Sequence, residues 1–358
     1  MAGQEEARHR RVPGGTAYPP GVRNDGGVEN RSGVRALGEP LPAADGRPPL
    51  IAGPVDTALT MPPRTPVDEE RYALLRDLMA DGDVVALTGA GMSTPSGIPD
   101  YRGPDGQRRV QPMQHSEFTG SAEARRRYWA RAFSGWERFA AARPNVAHRA
   151  VAALEHLGVV TGVITQNVDG LHQEAGARSV LELHGSLARV QCLDCGEPYL
   201  RDQVHDWLAE ANPGFGALVH DGAEVRPDGD IVVPEELVAR FRPPRCLVCD
   251  GDALKPDVVF FGGSVERALV DTAYEMVGRA GTLLVLGSSL RVMSGYRFVR
   301  RAAREGIPVA VVTRGQTRGW AETTVQVDSL LQDVLPRLVD DLVVGQDPSQ
   351  DAGGPDPW

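Results

Sequence analysis

The strongest constraint on this chain is the make-up of its apolar runs. "VVALT" (84–88), "VVTGVIT" (159–165), "TLLVL" (282–286) and "IPVAVVT" (307–313) are short and dominated by Val, Ile and Leu. None shows the polar alternation of a half-solvated strand. Strands of this kind are buried on both faces, the habit of parallel sheets with helices on each side. Helical stretches separate them. "VDEERYALLRDLMADG" carries Tyr72, Leu75, Leu78 and Met79 at helical spacing behind an acidic first turn, with Gly82 as a stop. "NVAHRAVAALEHLG" offers Asn145 as a cap and Gly158 as its end, and "RALVDTAYEMVGRAG" and "YRFVRRAAREG" repeat the pattern. The alternation predicts an α/β fold, a Rossmann-like parallel sheet with helices on both faces.

Composition narrows the classes of function. The 358 residues are 41% hydrophobic, enough for a sizeable core. A net charge of −10 argues against direct nucleic-acid binding, which wants a basic face. No run of apolar residues is long enough for a transmembrane helix, so no membrane partner is expected. The opening "MAGQEEARHRRVPGG" has no apolar stretch of signal type, which points to the cytoplasm. Residues 1–60 hold 10 Gly and 8 Pro, so 1–61 reads as a disordered tail, and "GQDPSQDAGGPDPW" (345–358) reads likewise. The folded part is expected over 62–344. Between Cys192 and Cys249 the α/β rhythm breaks, which suggests a small module inserted at about 187–254.

That module carries every cysteine of the chain, as "CLDC" (Cys192, Cys195) and "CLVC" (Cys246, Cys249). Two C-x₂-C pairs can close a tetrahedral zinc site, and four thiolates leave no open position for water. The expected metal is one structural Zn²⁺. In a reducing compartment this pattern reads better as ligands than as disulfides.

Candidate chemistry gathers after the apolar runs, where open α/β sheets bind ligands. "LTGAGMSTPSGIPDYRG" puts Gly89 and Gly91 where a backbone can approach a pyrophosphate. It departs from the ordinary dinucleotide fingerprint. Thr94 stands where a third glycine belongs, and no acidic residue follows about twenty positions on. A plain hydride-transfer enzyme is therefore disfavoured. Asp100 and Arg102 lie in a Pro-interrupted loop over the same place. "ITQNVDGLH" sets Gln166, Asn167 and Asp169 beyond a strand, as ribose or carboxamide partners or as plain turn residues. "LELHGS" offers His184, either a general base or a structural histidine. "VLGSSLRV" ends on Gly287, Ser288 and Ser289. "KPDVVFFGG" is an apolar run that could serve as an extended edge for a peptide.

Together "GAGMSTPSGIPDYRG", "TQNVDGLH", "ELHGS", "CLDC", "CLVC", "KPDVVFFGG" and "GSSLRV" resemble, in order and spacing, the sirtuin family of NAD-dependent protein deacylases. The likeness spans roughly 62–340. "RRRYWARAFSGW", "CLDCGE", "RPDGDIVV" and "SGYRF" make it resemble class II, the type of mitochondrial sirtuin four and its bacterial homologues. The resemblance implies NAD across the strand ends. Gly89, Ala90, Gly91, Asp100, Tyr101 and Arg102 would line its pyrophosphate and nicotinamide side. Gln166, Asn167, Val168 and Asp169 would hold the nicotinamide ribose, and Gly287, Ser288, Ser289, Thr313, Arg314, Gly315 and Leu331 the adenosine half. It further implies an acyl-lysine protein substrate along Val258, Val259, Phe260, Phe261 and Gly262. His184 would be the general base of the reaction, with Asn167 and Asp169 beside it. The acyl oxygen would attack C1′ of the nicotinamide ribose, nicotinamide would leave, and His184 would activate a ribose hydroxyl against the resulting alkylimidate. The products would be free lysine, nicotinamide and O-acyl-ADP-ribose. Two departures stand out. Thr313 occupies a position where many sirtuins carry asparagine. The loop "RGPDGQRRVQPMQH" lacks the Tyr-x-x-Arg pair of sirtuins that prefer acidic acyl groups, so succinyl-lysine is expected to be a poor substrate. Mono-ADP-ribosyl transfer and NAD sensing with little turnover remain the alternatives.

Overall fold

The computed structural model describes residues 66–102, 107, 111–219 and 226–344. The tails expected at 1–61 and 345–358 lie outside the described residues. Six parallel strands form the main sheet: β1 (Val84–Thr88), β2 (Val160–Thr165), β3 (Val180–Glu182), β7 (Thr282–Leu286), β8 (Val309–Val312) and β9 (Val325–Val327). Their spatial order is β3-β2-β1-β7-β8-β9. Counted within this sheet alone, that is the 3-2-1-4-5-6 order of doubly wound dinucleotide-binding folds, whose crevice opens where the first and fourth strands meet. Here those strands are β1 and β7, paired in register from Val84 opposite Thr282 to Thr88 opposite Leu286.

Side-chain alternation along the central strands splits the core in two. Ala86 and Leu284 face α1 (Glu69–Ala80), α4 (Val146–His156) and α11 (Leu331–Val344) through Tyr72, Leu75, Leu154, Leu335 and Leu338. Val85, Leu87 and Val285 face α9 (Arg267–Arg279) and α10 (Met293–Glu305) through Ala273, Val277, Phe298 and Val299. The helix signals operate as expected. Asp68 caps α1 by accepting the N–H of Arg71 at 3.1 Å, Asn145 caps α4, and Gly306 closes α10 in the left-handed region. A short α5 (Leu171–Glu174) follows β2.

A second body hangs from the sheet. It contains α2 (His115–Gly120), α3 (Ala122–Ala140), an antiparallel sheet β5-β4-β6 built of β4 (Gly185–Cys192), β5 (Pro198–Leu200) and β6 (Leu254–Val258), and the helices α6 (Arg201–Ala211), α7 (Phe215–Leu218) and α8 (Glu235–Val238). Its own core joins Tyr128, Trp129, Phe133 and Trp136 of α3 to Val204, Leu208, Phe215, Leu254 and Phe260. The body is larger than the 187–254 expected. Its sheet starts at Gly185 and runs to Val258, and α3 belongs to it although α3 lies far upstream. At its centre Arg201 is 2% exposed. The guanidinium sits 4.5 Å from the ring of Trp136 and 5.1 Å from that of Trp129, and Nη2 donates to the Ala132 carbonyl at 3.0 Å. Among the described residues no carboxylate lies within ion-pair reach of it. Burial lowers its pKa to about 10.

Candidate active site at the strand ends

The turns after β1 and β7 touch. Gly89 N–H donates to the Leu286 carbonyl at 3.0 Å and Gly91 N–H to the Gly287 carbonyl at 2.9 Å. Gly287 has φ +60°, and a Cβ there would stand 2.6 Å from the amide nitrogen of Met92. Only glycine meets both demands. Beyond Gly89 the loop winds through two short 3₁₀ turns, Ala90–Met92 and Thr94–Ser96, so Pro95 does keep a long helix from forming.

The end of β2 supplies the polar groups. Asn167 Nδ2 donates to the Gly89 carbonyl at 3.1 Å and to Ser93 Oγ at 3.0 Å. Ser93 Oγ in turn donates to Asp169 Oδ2 at 2.6 Å. The other Asp169 oxygen accepts the N–H of Leu171 at 3.0 Å. Burial raises the Asp169 pKa, and these two bonds oppose the shift. Ser288 Oγ donates to Gln166 Oε1 at 2.8 Å, which ties the β7 turn to the β2 turn. At Gly295 a Cβ would lie 2.6 Å from Gln166 Nε2, so a larger residue there would push the Gln166 amide out of its place. Val168 accepts the N–H of Leu187 on its carbonyl at 3.0 Å.

His184 stands between this cluster and β4. Its Nδ1 is 2.9 Å from the Gln166 carbonyl, and its Nε2 is 2.8 Å from Ser294 Oγ. A carbonyl only accepts, so Nδ1 carries the hydrogen and Nε2 holds the lone pair, with the Ser294 hydroxyl donating to it. Burial lowers the pKa; the bond to Gln166 works the other way, and Arg297 adds to the lowering. The ring is therefore held neutral and oriented. The His184 carbonyl accepts the N–H of Val259 at 2.9 Å, which fixes this residue to the "KPDVVFFGG" segment.

The edge strand β6 takes in Lys255–Val258 of that segment and leaves 259–263 beyond it, and several carbonyls along this stretch are engaged. Trp129 Nε1 donates to Leu254 O at 2.9 Å. Lys255 Nζ donates to Pro256 O at 2.9 Å and also to Val258 O. Burial pulls the Lys255 pKa down to about 8, and its ammonium lies 4.5 Å from the Phe260 ring. The Phe260 carbonyl accepts the N–H of Gly263 at 2.9 Å. The side chains of Val258 and Phe260 are buried, whereas Val259 and Phe261 are half-buried and Gly262 is exposed. Phe261 meets Tyr101 edge-on at 5.6 Å, so the loop carrying Asp100, Tyr101 and Arg102 reaches the segment directly.

The remaining expected NAD contacts sit one strand further along. Gly287 N–H donates to Val312 O at 3.0 Å, which brings the end of β8, and with it Thr313, beside the β7 turn. Gly315 N–H donates to Asp328 Oδ1 at 3.0 Å, and Arg314 lies 3.9 Å from the same oxygen. Leu331 is buried at the start of α11 within the sheet core. Residues 103–106 and 108–110, where an acid-recognising pair would fall, lie outside the described residues. Ser93 and Ser294 were not foreseen. Ser93 sits inside a motif read for its glycines, and Ser294 meets His184 across 110 residues with no local signal.

The donor set suits a dinucleotide: amides and hydroxyls for ribose, and a glycine turn at the switch point for phosphate. The four cysteines suit a metal. Cys192 Sγ is 3.6 Å from Cys249 Sγ, Cys195 Sγ is 3.6 Å from Cys246 Sγ, and all four lie within 4.8 Å of one another. Thiolates 2.3 Å from zinc in a tetrahedron have edges of about 3.8 Å. Tyr199 OH lies 3.2 Å from Cys246 Sγ and accepts the N–H of Leu247 at 3.1 Å.

Such a sheet, with this crevice and a thiolate cluster beside it, defines a dinucleotide-binding α/β protein with an inserted metal module. The chain belongs to the Sir2 family, whose model matches residues 89–294. It is 51% identical to "NAD-dependent protein deacetylase 1" of Streptomyces coelicolor, over 75% of this chain and 89% of that protein. It is 43% identical to the human "NAD-dependent protein lipoamidase sirtuin-4, mitochondrial", over 78% of this chain and 90% of that one. A solved structure described as "Sir2-p53 peptide-NAD+" superimposes with a TM-score of 0.61 at 29% identity, covering 76% of this chain and 98% of its own. Among the described residues no helix is long and apolar enough to cross a membrane.

Proposed function

We propose that this chain is an NAD-dependent protein lysine deacylase acting on acetyl and other apolar acyl groups. The observation that carries the reading is His184, a buried, neutral imidazole with Nδ1–H fixed on Gln166 and its Nε2 lone pair offered on the side of Ser294. When bound, NAD supplies a ribose C1′ with nicotinamide as its leaving group. Asn167 and Gln166 orient the ribose from the strand ends, Ser288 braces Gln166 through its hydroxyl, and Asp169, held by Ser93, sets the turn they stand on. His184 Nε2 exchanges the Ser294 hydroxyl for a ribose hydroxyl and takes its proton. The half-buried Val259 and Phe261, with Gly262, flank the acyl-lysine chain. Zinc on Cys192, Cys195, Cys246 and Cys249 holds β4 and β6 together without touching substrate. Four thiolates that must stay unoxidised suit a reducing compartment, so we place the protein in the cytoplasm; fractionation of the source cells checks this.

Incubation with NAD and a panel of acyl-lysine peptides tests the activity. Nicotinamide and O-acyl-ADP-ribose should appear with acetyl and longer apolar acyls, and little with succinyl. ADP-ribose on protein without deacylated peptide would replace this reading with ADP-ribosyl transfer. Succinyl removed faster than acetyl would overturn the acyl preference.

A further inference from the structure

Beneath the site lie two histidines that the reaction does not use. His148 of α4 and His172 of α5 are 0% and 1% exposed, with ring centroids 5.0 Å apart at 66°. The backbone N–H of Asn145 donates to His148 Nδ1 at 3.4 Å. His148 Nδ1 is thus bare, and Nε2 carries the hydrogen. His172 Nε2 is 3.0 Å from Thr88 Oγ1, which gives its own hydrogen to Thr165 Oγ1 at 2.9 Å. Thr88 therefore accepts, and on His172 too the hydrogen sits on Nε2. Both remaining nitrogens are buried without a partner: a donor at His148 Nε2 and an acceptor at His172 Nδ1. Buried polar groups are rarely left unpaired, and here the leftovers are complementary and on touching rings.

We propose that His148 Nε2–H and His172 Nδ1 satisfy each other, through one buried water or a small ring tilt, and that the chain this completes positions the cofactor loop. One arm runs from Asn145, whose side-chain amide holds Met92 O and Ser96 Oγ, each at 2.9 Å. The other runs through Thr88 and Thr165 to Asn167, whose N–H donates to Thr165 Oγ1 at 3.1 Å and whose side chain holds Gly89 O and Ser93 Oγ. The loop from Gly89 to Ser96 is gripped by both arms, and behind the loop the arms come together at the histidine pair. His148 and His172 are positioning residues; the inference rests on the reading of this loop as the NAD site.

Two measurements test it. Ring ¹⁵N shifts of the histidine-labelled full chain, recorded without NAD, should show Nε2–H on both residues. A hydrogen on Nδ1 of His172 overturns the chain. Kinetics of His172→Leu should show KM for NAD raised by about tenfold or more, with KM for the acyl peptide nearly unchanged. His172→Gln, which can donate and accept, should recover most of the loss. The double variant His148→Leu/His172→Leu removes both leftovers together, so its Tm should return toward that of the parent while the NAD defect persists. If the defect vanishes with the lost stability, or if His172→Leu leaves KM for NAD unchanged, the role is structural only. Should the single leucine variant fail to fold, His172→Gln at parental KM against the double variant at raised KM still decides. Absence of any NAD turnover in the parent protein would sink the deacylase reading instead, and the tautomers are read either way.

Discussion

Replacing His184 with alanine isolates the proposed base from the binding of NAD. The ring makes two neutral hydrogen bonds, to Gln166 O and from Ser294 Oγ. Each is worth about 1 kcal/mol net, and Gln166 keeps its bond from Ser288, so NAD affinity should change by less than about tenfold. A general base contributes roughly 10²- to 10⁴-fold to rate, so kcat should fall by that much. The pH profile adds a second reading. The base works in its neutral form, and burial, the largest influence, holds its pKa below the ordinary 6.5. kcat/KM should therefore climb along an acid limb centred below 6.5 and be flat by neutral pH. In His184→Ala that limb should vanish. Ser294→Ala should move it upward, because the serine hydroxyl stabilises the neutral ring. Calorimetric titration of NAD with steady-state turnover of an acetyl-lysine peptide from pH 5 to 9 reads all three. Full activity in His184→Ala, or an acid limb that survives in it, would refute the assignment.

Zinc removal should be selective. Structural zinc contributes about 10–16 kcal/mol in small sites, as much as the whole stability of a typical domain. Chelation should expose the amides of β4, β5 and β6 to hydrogen exchange and abolish activity while β1, β2 and β7 stay protected, since their cores share no residue with the module core. Activity after complete removal would show that the metal does not hold the site. Gly287→Ala places a methyl 2.6 Å from Met92 N at φ +60°, and should cost about 1–3 kcal/mol with a loss of NAD binding; unchanged calorimetry and Tm would contradict the close approach. Acid should destabilise the fold early. Burial lowers His148 to about 3 and His172 to about 4 from 6.5, with His172 and Arg149 lowering His148 further and Glu155 opposing on His172. The unfolded chain takes up protons that the folded one refuses, so their contribution is full above 6.5 and is lost as pH falls toward 3–4. Urea midpoints should drop from pH 7 to 5, and the drop should shrink in the double leucine variant.

The main sheet was legible because its strands are buried on both faces and announce it residue by residue. Asn145 opened a helix, and Gly158 and Gly306 closed helices, where their chemistry said they should. The three-residue strands β3 and β9 are too short for a period, and they escaped notice. The site was half legible. Polar residues after apolar runs marked Gln166, Asn167 and His184, yet nothing local foretold that Ser294 would face His184. The contribution of α3 to the metal module was hidden for the same reason. Its aromatic residues pack on partners some seventy and more residues later, and no spacing rule reaches that far.

Arg201 has a consequence for the order of folding. Its charge is caged by Trp129 and Trp136 of α3, while the residue itself opens α6. With no carboxylate in ion-pair reach among the described residues, the guanidinium is held in the interior by both ring faces and the Ala132 carbonyl. A half-built module would have to bury a bare cation or leave the cage open to water. Helix α3 and the cysteine-bearing segment should therefore gain structure in a single step, late in folding, however early α3 is synthesised.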